Sequence, residues 1–326
     1  MPKRLIITNG DVAAQGIRDA GIEGEVLAWR DVLHEGPVPG GLLLEALSLV
    51  RAPFLAAAFG QSVTEQNREF AQRDAFLRTH PSYDTVELWF EHDLYDQLQL
   101  IQLLEFFGSE RRLDGVSVMQ ADDYLGAMLG PSLRDHDETA RPVSEEQVQA
   151  AAAAWTAFTG PTPEGIIRQG ASDVPTLPHL RAAFGRLALE LPARGSGLSL
   201  TQERIVTALM DQSRTVAATF SATQVWEDAR FLSDASFFRQ IDDLVFTATP
   251  LLEGVPFRSA GIGSDPDAAL YTTYAQSNLM VTDAGRQALA GRVDHAPENG
   301  IDRWIGGTHL TAGSLWRRDR DAGWPA

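Results

Sequence analysis

Cysteine is absent from all 326 residues, which removes disulfides, thiolate nucleophiles, iron–sulfur clusters and every zinc site built on a Cys ligand. Lysine is almost absent too: the 27 basic residues are 26 Arg and one Lys, Lys3. A phosphate loop with its Gly-Lys-Ser/Thr, a kinase with its strand lysine and a Schiff-base enzyme all need a placed lysine, so these classes drop out. No Gly-x-Ser-x-Gly elbow occurs, which argues against a serine hydrolase of the α/β type. No apolar run approaches the ~20 residues of a membrane helix. The start, Met1-Pro2-Lys3-Arg4, leads through Leu5 to Ile7 straight into Asn9-Gly10-Asp11, with no signal-peptide core. The expectation is a cytoplasmic protein.

Positive charge is in short supply overall. Forty-four acidic residues against 27 basic ones leave a net charge of −17, which repels phosphate backbones and anionic membranes alike. DNA and membranes are therefore poor partners, while a small polar or anionic ligand, a protein partner or a second copy of the chain stay open. Hydrophobic residues at 44% are enough to bury one or two cores, and the length suits about two domains.

What is present is an alternation of strand and helix signals. Arg4 to Thr8, Glu25 to Trp29, Val86 to Phe90 and Gly115 to Met119 read as four short buried strands. Between them lie helical stretches up to Ala20, from Leu42 to Phe59, from Thr64 to Thr79 and from about Leu94 to Phe107, with Asp11 and Asp93 as N-caps. Such repetition predicts an α/β fold: a small, mostly parallel, Rossmann-like sheet over residues 1–130 with right-handed crossovers. Residues 130–141 read as a linker, 142–192 as a helical connector beginning at Ser144, and 192–197 as a second linker. From 197 to 295 the order is helix (Thr201 to Met210), helix (Ala222 to Ala229), helix (Ser236 to Phe246), short strands near Leu251 and Leu270, and a helix begun by Thr282. That order predicts a winged-helix-like domain. Residues 296–326, with Trp304, Trp316 and Trp324, read as a tail that packs back on the body.

In an open parallel sheet the ligand crevice lies beyond the carboxyl ends of the strands. Each predicted strand ends in polar residues: Asn9 and Asp11; Arg30, Asp31, His34 and Glu35; Glu91, His92, Asp93, Asp96 and Gln97; Asp122 and Asp123. Their coincidence at one edge is the main functional signal of the sequence. His92, oriented by Glu91 or Asp93, is the candidate acid/base, with His34 as a second acid/base or a ligand. Arg30 and the helix starts after Asp11 and Asp93 are candidates to hold an anion, with Asn9, Asp31, Glu35, Asp96 and Gln97 around them. The bland alternatives are a cap for Asp93, a bystander His92, and an ion pair from Arg30 to Asp31 or Glu91. His34, His92 and the carboxylates could surround Mn, Fe, Ni or Zn, but their spacing is not diagnostic, so no metal is assigned and no cofactor is named.

Three motifs carry a resemblance. Ile7-Thr8-Asn9-Gly10-Asp11, Trp29-Arg30-Asp31-Val32-Leu33-His34-Glu35-Gly36-Pro37 and Trp89-Phe90-Glu91-His92-Asp93-Leu94-Tyr95-Asp96-Gln97-Leu98 resemble the bacterial family catalogued as domain of unknown function 1835, over roughly residues 4 to 125. Arg303-Trp304-Ile305-Gly306-Gly307-Thr308-His309-Leu310 is similar to the closing motif of its long members. The resemblance implies a shared site at these strand ends without naming a reaction.

Two functions compete. The first is an enzyme acting on a small anionic metabolite or nucleotide by His/carboxylate acid–base chemistry. The second is a non-catalytic small-molecule-sensing regulator, or a protein-interaction module, that works through the winged helix. Between Gly197 and Ala296 there are seven Arg and no Lys against twelve acids, and the would-be recognition helix pairs Asp242 and Asp243 with Arg239 as its sole base. A helix entering the major groove needs the reverse balance.

Overall fold

The computed structural model describes residues 2–128, 130–260, 262 and 268–319. Its centre is a five-stranded sheet in the order β2-β1-β3-β4-β5, formed by β1 (Arg4–Asn9), β2 (Glu25–Trp29), β3 (Thr85–Glu91), β4 (Val116–Ala121) and β5 (Arg141–Pro142). β1 to β4 are mutually parallel, and β5 adds a short antiparallel edge. Leu5, Ile6 and Ile7 are all fully buried because the sheet is covered on both faces, which is why β1 reads as a continuous apolar run without alternation.

The crossovers explain that burial. α1 (Gly10–Asp19) covers the face bearing Ile6, Trp89 and Met119, with Ala13 and Ile17 turned inward. α2 (Leu44–Phe59), α3 (Val63–Leu77) and α4 (Leu94–Ser109) form the other connections; α4 packs on the face of Leu5, Ile7, Leu88 and Phe90. From β1 the chain runs to β2 on one side, and β3 sits on its other side. The topological switch point, where such sheets open a crevice, therefore falls between the ends of β1 and β3.

The segment 130–141 is structured, contrary to the linker expectation. α5 (Gly130–Asp137) buries Leu133 under α1, and Arg141–Pro142 pairs with Ser117 and Val118 of β4. α6 (Glu145–Phe158) starts at a capping box of Ser144 and Gln147, and α7 (Glu164–Gly170) and α8 (Leu180–Ala188) follow it; α6 and α8 extend the main core through Ala154, Phe158 and Phe184. Residues 192–197 are no solvated linker either. Pro192, Ala193 and Ser196 are buried, and a bridge joins Ala193 to Arg318.

A second core fills residues 198–288. It is built from α9 (Leu200–Ala208), β6 (Arg214–Thr215), α10 (Val216–Gln224), α11 (Asp234–Val245), β7 (Leu252–Glu253), α12 (Ala269–Ala275), β8 (Asn278–Val281) and α13 (Asp283–Leu289). β6, β8 and β7 form a small antiparallel sheet in that order. Two local expectations shift. The helix read over 222–229 lies at 216–224, because Thr215 caps it through Ala218 N, and Leu270 belongs to a helix, the strand falling eight residues later at Asn278. α14 (His295–Asn299) leads to the hairpin β9 (Asp302–Ile305) and β10 (Thr308–Thr311). Past it, Arg318 returns to Glu203 at 2.7 Å, so the tail to residue 319 packs on the body; Trp324 lies outside the described residues. Among the described residues no helix is long and apolar enough to cross a membrane.

Candidate ligand site

The strand-end residues separate into two groups with opposite physical character. At the switch point, Glu91, Asp93 and Asp96 hold carboxylate oxygens within 4.8 Å of one another, all three buried. Each already serves the backbone. Glu91 accepts from Leu125 N at 2.7 Å and so fixes the turn after β4; Asp93 caps α4 through Asp96 N at 3.0 Å; Asp96 accepts from Glu91 N at 2.7 Å and from Asn9 Nδ2 at 2.6 Å. Gln97 joins by donating to Glu91 O. Among the described residues no cation pairs with any of the three, and burial raises all their carboxyls: Asp93 to about 7, Asp96 well above its ordinary value, Glu91 upward. Carboxylates this close could face a cation, but here each one is a cap or a turn lock.

Asn9 explains why Asp11 is not the cap expected of it. Asn9 stands at the N-cap position of α1, its amide turned away to Asp96, and Asp11 falls inside the first turn. From there Asp11 pairs with Arg30 at 2.5 Å, both side chains more than half exposed. Arg30 thus does form an ion pair, with Asp11 and not with Asp31 or Glu91. Asp31 is occupied by the fully buried Arg51, whose Nε and Nη2 reach it at 3.0 and 2.7 Å while its other donors take the carbonyls of Val32 and Glu35. His92 makes no hydrogen bond to Glu91 or Asp93 among the described residues. Its ring lies 5.3 Å from Tyr124 and 6.0 Å from His179, and it borders a cavity of about 450 Å³ shared with Arg186 and Arg204. Asn9, Arg30, His34 and His92 therefore share a sheet edge without sharing a pocket.

A cavity of about 610 Å³ lies where the loop after β2 meets the C-terminal hairpin and α11. That loop needs its glycine. Gly36 has φ +73°, and a Cβ there would fall 2.3 Å from the Phe54 ring. The hairpin docks beside it by backbone bonds, Val38 N to Gly306 O and Gly307 N to Phe158 O, each 2.9 Å; Gly306 again has positive φ, and its Cβ would collide with Phe158 O. His34 and Glu35 thereby line one cavity with Arg303 and Trp304, to which α11 contributes Arg239, Gln240 and Asp243.

Several polar atoms here have no partner among the described residues. His34 is buried edge-on to Phe231, and neither ring nitrogen has a hydrogen-bond partner among the described residues. Burial, reinforced by Arg239, Arg51 and Arg186, lowers its pKa to about 3, so the imidazole is neutral at pH 7. Glu35 pairs through one oxygen with Arg239, while Oε1 is unbonded and 3.5 Å from His34. Burial alone would raise the Glu190 carboxyl, but Arg186 at 2.6 Å and Thr201 at 2.6 Å, with Arg303 close by, bring it down to about 2. Arg303 donates to Glu190 O at 2.6 Å, and its Nε is shielded and unbonded. Burial lowers the pKa of Arg303 and takes that of Arg239 to about 10.

Sequence reasoning reached His34 and Glu35 but missed Arg239, Gln240, Asp243, Glu190 and Arg303 as neighbours. Only the closing motif, which begins at Arg303, gave a signal for any of them. No protein-family model and no curated protein matches this chain.

Proposed function

We propose that this protein binds and acts on a small, polar, anion-bearing metabolite or nucleotide in the 610 Å³ cavity at the carboxyl edge of its sheet. One observation carries the reading: His34-Glu35-Gly36-Pro37 and Arg303-Trp304-Ile305, from opposite ends of the sequence, line the same cavity, and its polar residues include atoms without partners. Buried polar atoms left unbonded destabilise a fold, so their retention beside a cavity of ligand size favours binding. His34 then replaces His92 as the leading acid/base. It is neutral when unliganded, and a nearby negative charge on a ligand would raise its pKa toward the working pH. Membership of the family catalogued as domain of unknown function 1835, which rests on the three motifs and the closing motif, and a cytoplasmic location belong to the same proposal.

The regulator reading takes the helices α9, α10 and α11 and the small β6-β8-β7 sheet as a winged-helix-like arrangement, with α12 inserted between β7 and β8. Against it stands α11, the helix that would enter DNA. Its Arg239 is engaged with Glu35, and its Asp242 accepts from Ser259 and Tyr274 inside the fold.

His34→Phe tests the proposal. The ring nitrogens have no partners, so an apolar ring should hold or raise the melting temperature. A small molecule that co-purifies with the wild type, identified by mass spectrometry, should be absent from the variant. Equal retention of that molecule would move the site away from His34.

A further inference from the structure

We propose that the cavity takes a small zwitterion, a molecule with a protonated amine and an oxyanion (carboxylate or phosphate) on one compact skeleton, bridging Asp243 and Arg303. This deepens the reading of the cavity as the ligand site and rests on it. Asp243 and Arg303 line the cavity together and also its adjoining lobe of about 210 Å³. Each influences the protonation of the other, yet they form no ion pair within 4.0 Å. Asp243 is solvent-exposed and Arg303 half-buried, so opposite charges line one cavity near its mouth without closing on one another, which leaves room for a group that meets both.

The unbonded atoms narrow the class. Arg303 Nε is a donor without an acceptor, and a guanidinium matches an oxyanion. Glu35 Oε1 is a buried acceptor without a donor, and the Asp243 carboxylate, exposed to solvent, receives no hydrogen bond from a described residue. These two oxygen-bearing groups match an ammonium. Gln240, whose Oε1 is also unbonded, offers an amide that serves either end. An oxyanion without an amine would leave Glu35 Oε1 unanswered and add charge of the same sign as Glu35 and Asp243. A simple amine would leave Arg303 unanswered. His34, neutral with one donor and one acceptor nitrogen, tolerates both.

The test uses the full-length wild type in calorimetric titrations against four probe sets: the twenty protein amino acids, phosphoethanolamine, the 2-hydroxy acids lactate and malate, and the mononucleotides AMP and GMP. The expected result is saturable binding of an amino acid or of phosphoethanolamine, which also distinguishes carboxylate from phosphate, with any hydroxy-acid counterpart at least about tenfold weaker. Asp243→Asn and Arg303→Lys should each weaken the bound zwitterion at least about tenfold. Arg303→Lys keeps a cation beside Glu190, and an unchanged melting curve for either variant certifies its fold. A hydroxy acid or mononucleotide binding as well as every zwitterion, or no saturable zwitterion up to about 10 mM, overturns the inference and leaves the cavity as the site. Zwitterion binding unaffected in both variants overturns the inference and the cavity reading together.

Discussion

Two sets of charged residues sit along one sheet edge, and they differ in whether the fold answers them, although Gln97 Oε1 beside the first set is unbonded as well. Around Glu91, Asp93 and Asp96 every carboxylate accepts a backbone N–H; around His34, Glu35 and Arg303, atoms just as well shielded have no partner. A buried polar group with a full set of partners contributes to holding the chain in one conformation. One without them is a standing penalty of about 1–3 kcal/mol that a ligand can relieve. Polarity at a strand end is thus a weak sign of function until partners are counted.

The largest effect expected from this contrast lies on the satisfied side. Arg51 bonds Asp31 and the carbonyls of Val32, Glu35 and Pro37 with no exposure to solvent. Arg51→Met removes the cation and leaves Asp31 buried, with only Arg73 at 4.0 Å to compensate. Breaking a buried pair from one side costs about 3–5 kcal/mol, so urea unfolding should show a midpoint shift of that size at unchanged slope. A loss below about 1 kcal/mol would mean that the Asp31 network is not structural and belongs with the cavity.

A smaller effect comes from protonation, and the two groups pull in opposite directions. Burial raises the Asp93 carboxyl from 3.8 to about 7, so folding takes up a proton; the resulting stabilisation is complete below about 4 and is lost as pH rises to about 7. His34 is lowered from 6.5 to about 3. Its contribution is complete above about 6.5 and is lost as pH falls toward 3. Asp93→Asn keeps a competent cap and abolishes the first slope, so the variant should gain on the wild type as pH rises from 4 to 7, by at most about 1.4 kcal/mol per pH unit for one proton. His34→Phe should tilt the curve the other way. Parallel pH profiles for both variants and the wild type would erase the distinction between the clusters.

The fold was more legible than the site, for physical reasons. Four strands announced themselves because parallel strands buried on both faces leave runs such as Leu5-Ile6-Ile7, and the caps Asp93, Ser144 and Thr282 are local signals acting over three residues. α5 was obscured because its polar surface hides a single buried anchor, Leu133, and because Pro131 reads as a breaker when at a first turn it is compatible with helix. The cavity depends on contacts between the two ends of the chain, which no periodicity encodes. Arg239 reads in the sequence as the sole base of a would-be recognition helix, and its partner Glu35 is 204 residues away. The resemblance motifs marked both walls of the cavity but gave no reason to join them. His92 stood out for its neighbours in sequence, and the β3–α4 turn directs those neighbours to the backbone and away from its ring.

The smallest effect concerns Arg30, the residue the sequence offers most readily as an anion clamp. Its guanidinium meets Asp11 through Nε and Nη2 at 2.8 and 2.5 Å, raising its pKa chiefly by that hydrogen bonding, but its side chain is 58% exposed and that of Asp11 65%. An exposed pair is screened by water and salt and contributes about 0.2–1 kcal/mol even in good bidentate geometry. Arg30→Ala should therefore shift the melting temperature by no more than a few degrees, and less in 0.5 M salt than in dilute buffer. If the cavity is the ligand site, the same variant should also bind the ligand as the wild type does, because Arg30 does not line it. The comparison is sharpest against His34→Phe: two residues from one loop, one exposed and paired, the other buried and unpaired. Only the buried one should change binding. Loss of ligand in Arg30→Ala with the melting curve intact would return the site to the pocket that Asp11 shares with Asn9 and Glu91, and would make the unbonded atoms around His34 a tolerated defect of packing.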